Sequence, residues 1–119
     1  MWYFSQRGAI WHDNGPKSGS YSGHGEGLNN HAMEAVHGVG PIPVGRYAIG
    51  PWEAQHGRLG RIVAALTPVG HDAHGRSGFF WHGDNAEMNN TASDGCIVSP
   101  YATRMKGIQS ADDELEVVL

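Results

Sequence analysis

Residues 79–97 read FFWHGDNAEMNNTASDGCI, and this stretch decides both the fold and the chemistry of the chain. Residues 77–81, SGFFW, form a strand-length apolar run that leads directly into His82 and Gly83. A polar segment follows, then Gly95, Cys96 and a second apolar pair, Ile97-Val98. Two neighbouring strand ends joined by a loop of about a dozen residues can bring an imidazole and a thiol within bonding reach. A cysteine nucleophile needs that imidazole, because the thiolate is the reactive form. It also needs donors aimed at the developing oxyanion, and a glycine before the cysteine lets the chain turn to present the amides of Gly95 and Cys96. A lone cysteine is otherwise most simply a small buried apolar residue.

Downstream, Ser99-Pro100 is a good helix start, with Ser99 as cap and Pro100 at the first helical position. Residues 101–109 then read as one amphipathic helix with Met105 and Ile108 on its apolar side, and 115–119 as a last strand. Upstream, the near-continuous apolar run 61–67 predicts a central strand covered on both faces. Before it, the prolines of GPIPVG (40–45) hold an extended segment that leads into a strand over 46–49. Residues 1–14 read as a hairpin turning at Arg7-Gly8, 17–30 as a functional surface loop, and 31–36 as a short helical turn. The sum is a mainly β, β-rich α+β fold: a mixed sheet or sandwich with one or two short helices.

A chain of 119 residues has room for one core, so 1–119 is read as a single domain. Its 18 glycines favour short strands and structured loops over long helices. A net charge of −4 argues against a nucleic-acid partner. No stretch approaches the roughly 20 apolar residues of a membrane span. The start of the chain lacks a signal-peptide layout, so the protein is expected to be made in the cytoplasm and carried to its target by other machinery. The single cysteine excludes an internal disulfide.

The pattern HG…S-x-G-C followed by an apolar pair resembles the catalytic motif of L,D-transpeptidases of the YkuD type. The form HGDN…SDGCI is closer to a compact branch found in interbacterial type VI secretion toxins and some phage lysis proteins. The likeness extends to GPIPVGRY, to SYSG (20–23) and to Arg104 on the helix after the cysteine. The resemblance implies an L,D-transpeptidase-like domain acting on peptidoglycan stem tetrapeptides, as a carboxypeptidase or a transpeptidase. Cys96 would be the nucleophile, His82 its base, and the Gly95 and Cys96 amides the oxyanion hole. Arg104 would bind a substrate carboxylate through its planar fork. Gly83, Asp84, Asn85, Ser93, Asp94, Tyr21 and Ser22 are further candidates for substrate contact. Asp84 and Asn85 equally suit turn capping, and Ser93 equally suits bonding to the cysteine's own loop. Larger family members carry a histidine where this chain has Asp94, so His82 is oriented either by Asp94 or by a backbone carbonyl. No cofactor is implied. A monomer is expected, acting in the periplasm or cell wall of a target bacterium, with delivery machinery or an immunity protein as partners.

Two rival readings remain. His71, Asp72, His74 and His82 suggest a zinc hydrolase, although HxxH in a glycine-rich turn is a poor two-ligand pair and leaves the Gly-Cys junction unexplained. A non-catalytic cell-wall-binding module would make Cys96 dispensable.

Overall fold

The computed structural model describes residues 1–57, 59–83 and 95–119. The chain opens with a hairpin of β1 (Trp2–Ser5) and β2 (Ala9–His12). Alternation sends Trp2 and Phe4 into the core, while Tyr3 faces outward and stacks on its cross-strand partner Trp11 at 5.6 Å. Strands β3 (Ser18–Gly19) and β4 (Tyr21–Ser22) follow, then β5 (Gly45–Ile49), β6 (Glu53–His56), β7 (Gly60–Val69), β8 (Phe79–His82) and β9 (Ile97–Val98). Helix α1 (Tyr101–Ser110) and β10 (Glu114–Val118) complete the fold.

Among the described residues, the strands form one mixed sheet in the order β3-β2-β1-β10-β5-β7-β8-β9-β4, with β6 paired to β7 beside this path. The pairs β1/β10 and β8/β9 are parallel, and the others are antiparallel. The outermost strands β3 and β4 are separated in sequence by Ser20 alone. Laid flat, the path of nine strands would hold them roughly 40 Å apart at about 4.8 Å spacing. One residue spans less than about 7 Å. The sheet therefore curls until its ends nearly meet, and the Ser20 amide donates to Gly8 O (3.1 Å) at the seam.

The expected mainly β fold with one short helix is what the structure has. Several local details differ. The segment 17–30 is built into the sheet as β3 and β4 rather than left as a surface loop, and it carries a 3₁₀ turn at Gly25–Gly27. The helical turn expected over 31–36 is a 3₁₀ turn at His31–Met33, with Asn30 Oδ1 accepting from Ala32 N. Strand β7 is central by its pairing on both edges. Only its middle is covered on both faces, where the adjacent Val63 and Ala64 are fully buried. Strand β6, EAQH, has no apolar alternation and exists because its backbone completes the β7 ladder.

Helix α1 is capped by Pro100, not Ser99, because the Ser99 hydroxyl accepts from Trp81 Nε1 (2.7 Å). Its buried face is Thr103, Arg104 and Gly107, not Met105 and Ile108. The reason is what it packs on: a Cβ at Gly107 would lie 2.8 Å from the Trp52 ring and 3.1 Å from the Trp81 ring. Trp81 touches Trp2 and Trp52 edge-on, and Trp2 Nε1 donates to Ser110 at the helix end. A helix lying on indoles needs a small residue there rather than an apolar stripe.

Candidate active site

The register of three strands sorts the candidate residues. Val98 pairs with His82 on β8 and with Tyr21 on β4, so His82, Val98 and Tyr21 form one row across the sheet. Ile97 pairs with Trp81 and Ser22, and this second row faces the core. Successive side chains on a strand point to opposite faces. Cys96 directly precedes β9, two residues before Val98, and strand alternation carried back by one residue would set it on the face of His82 and Tyr21. His82 and Cys96 are both buried.

His82 Nδ1 lies 2.7 Å from Gly83 O. A carbonyl only accepts, so Nδ1 carries the hydrogen and Nε2 holds the lone pair of the neutral ring. Cys96 Sγ has a long contact to Gly78 O at 3.9 Å. Gly95 has φ +116°, a backbone conformation open to glycine and strained for other residues.

Beneath this turn lies a residue that the sequence pattern did not single out. Arg76 is buried, and its Nη1 donates to Glu34 O (2.6 Å) and Pro41 O (2.8 Å), its Nη2 to Gly40 O (3.1 Å). Its guanidinium lies over the Phe79 ring and against Gly95, where a Cβ would be 2.2 Å from Nη2. Burial pushes the Arg76 pKa down from its ordinary value, opposed by the negative forms of Tyr47, Cys96 and Glu34. An arginine stays protonated against such a shift. The Glu34 carboxylate in turn accepts from Gln6 Nε2 (2.9 Å) and Val44 N (3.0 Å) and meets His74 Nε2 (3.0 Å). A lone arginine in a Gly-Ser-rich turn carries no local signal of this role; its partners come from 34–41 and 95 in the sequence.

Two expected substrate contacts belong instead to the scaffold. Ser22 is fully buried in the core row, with its hydroxyl accepting from Ile42 N (2.8 Å). Arg104 is buried, and its fork is occupied by Ile62 O (2.9 Å), Ser99 O (2.6 Å) and Arg61 O (3.3 Å). It braces Ile62, a β-branched residue at φ +60°, rather than presenting its donors to a carboxylate. Its guanidinium also backs Gly83, where a Cβ would lie 2.8 Å from Nη1. Tyr21 is buried in the row of Val98 and His82. Asp84, Asn85, Ser93 and Asp94 lie outside the described residues.

The histidines of the rival zinc reading go to other partners. His71 Nδ1 accepts from Ala73 N (3.1 Å), so its Nε2 donates to Arg46 O (2.9 Å). His74 pairs with Glu34. Among the described residues, the group with metal-ligand spacing is His12, Asp13 and Asp112, and it includes none of His71, Asp72, His74 and His82.

Fold and site together define a small, nearly closed β domain. It sets a histidine at the end of one strand and a cysteine directly before the parallel strand beside it. The Tlde1 domain family model matches residues 17–117, and the chain belongs to this family of type VI secretion effectors. A comparison with curated proteins finds no match.

Proposed function

We propose that this effector is a cysteine L,D-carboxypeptidase of the L,D-transpeptidase type that trims peptidoglycan stem tetrapeptides in a target bacterium. The observation carrying this reading is the parallel pairing of β8 with β9, which sets His82 at the end of one strand and Cys96 directly before its neighbour. The Gly83 carbonyl supports it by setting the His82 tautomer.

His82 Nε2 takes the thiol proton, and the thiolate attacks the diaminopimelate carbonyl carbon. A C–S bond forms while the amides of Gly95 and Cys96 receive the oxyanion. Collapse breaks the C–N bond, and the imidazolium returns its proton to the departing D-alanine amine. Water, deprotonated by His82, then hydrolyses the thioester and regenerates the thiol. An amine in place of water would give exchange or crosslinking; a small site favours water. Tyr21 lines the substrate side, and Gly83 shapes the strand end. Asp84, Asn85, Ser93 and Asp94 remain candidates for substrate contact. Activity in the periplasm would call for a cognate immunity protein in the producing cell.

The test is mass spectrometry of purified disaccharide-tetrapeptide incubated with wild type, Cys96→Ala and His82→Ala, each with and without a chelator. Loss of one alanine by wild type alone, insensitive to the chelator, is expected. Activity that survives Cys96→Ala and stops with the chelator would overturn the proposal in favour of a metal hydrolase.

A further inference from the structure

We infer that Arg76 is a positioning residue for Cys96, whose buried positive charge favours the thiolate and holds the Gly95–Cys96 turn in place. The inference rests on Cys96 being the reactive thiol. Three observations carry it. Arg76 is fixed by three backbone carbonyls of the 34–41 segment, so its charge has a set location. That location is against Gly95, the residue before the cysteine, where the lack of a side chain leaves room for the guanidinium. Cys96 and Arg76 also interact electrostatically, the thiolate favouring the charged arginine. The interaction is mutual: a cation favoured by the thiolate favours the thiolate equally.

Among the described residues, Glu34 and Tyr47 also act on the Arg76 charge. Glu34 meets Arg76 through its main-chain carbonyl, while its carboxylate is turned to Gln6, Val44 and His74. The Tyr47 hydroxyl donates to Pro43 O (2.7 Å), and burial holds its pKa far above the ordinary phenol range, so it stays neutral. His82 also serves the thiol, but as a group that gains and loses its proton during the reaction. Arg76 supplies a charge that does not change. Cysteines beside Arg, Lys or protonated His titrate between about 3.5 and 7.5, against about 8.5 for a free thiol.

The experiment is the pH profile of Cys96 alkylation by iodoacetamide, which reads the thiol without any peptidoglycan. It is run on wild type, Arg76→Gln, Arg76→Lys and His82→Ala, each checked for folding by circular dichroism. In Arg76→Gln the midpoint is expected to rise by about one pH unit or more, a roughly tenfold loss of thiolate at neutral pH. Arg76→Lys, which keeps the charge, is expected to restore part of that shift. A merely structural Arg76 would lower the melting temperature and leave the profile in place, and that result overturns the inference. Should Arg76→Gln not fold, His82→Ala decides. With Arg76 intact its thiol is expected to titrate below the free-cysteine value, and a midpoint at or above about 8.5 overturns the inference. A shifted profile in a protein inactive on stem peptides would sink the proposed substrate and leave this inference standing.

Discussion

The guanidinium of Arg76 occupies the space that a side chain at Gly95 would fill: a Cβ there would lie 2.2 Å from Nη2. The glycine before the cysteine thus does two things. It adopts φ +116° for the turn, and it lets a buried charge reach the backbone next to Cys96.

Gly95→Ala should therefore be more damaging than a turn glycine alone suggests. The left-handed conformation costs about 1–2 kcal/mol for an L-residue. Displacing Arg76 from its carbonyl partners adds to that. The expected result is a loss of about 2 kcal/mol or more in denaturant unfolding, with stem-peptide cleavage reduced at least tenfold. Wild-type stability and rate in this variant would mean that the turn relaxes freely and that the close approach has no consequence.

Ser22→Ala separates scaffold from candidate site on the row next to that of His82 and Tyr21. The Ser22 hydroxyl satisfies the buried Ile42 amide, and orphaning that amide costs about 1–3 kcal/mol. Chemical denaturation should show a loss in that range. The KM for stem peptide should stay at the wild-type value, because Ser22 faces the core. A raised KM at unchanged stability would return Ser22 to the substrate side.

Glu34→Gln tests the support beneath Arg76 through its pH dependence. Burial raises the Glu34 pKa, but the bonds from Val44, Gln6 and His74 outweigh it, and the net position is below the ordinary carboxylate value. A depressed carboxylate contributes stability above its unfolded pKa and loses it as pH falls through the folded one. At pH 7 the variant should be less stable than wild type by about 1–2 kcal/mol. Melts down a pH series should show that gap closing once pH falls below about 4.3, the unperturbed glutamate value. A gap that stays constant from pH 7 to pH 3 would show that the carboxylate's charge plays no part.

Much of the architecture was legible because its causes are local. Trp2-Tyr3-Phe4-Ser5, residues 61–67 and Phe79-Phe80-Trp81 carry the β-rich composition and alternation that strands need, and the Pro-x-Gly stretch before β5 restricts its backbone directly. The candidate pair was legible for the same reason, since His82 and Cys96 sit at strand ends that neighbouring residues announce. Strand β6 was not, because its four polar residues take their structure from the β7 ladder rather than from their own pattern.

By itself, then, the sequence determined a β-rich domain with one helix, and a histidine and a cysteine held at the ends of strands. Short-range alternation, turn residues and a helix start are enough for that. Only the tertiary structure decided which arginine packs against the Gly95–Cys96 turn. Arg104 follows the cysteine in sequence but is taken up by the carbonyls of Arg61, Ile62 and Ser99. Arg76 stands well before it in sequence, yet packs against Gly95. Likewise, adjacent residues Tyr21 and Ser22 were indistinguishable until the pairing with β9 set one on the site face and the other in the core. Register and long-range packing make these choices. They depend on where segments meet in space, which local pattern does not encode.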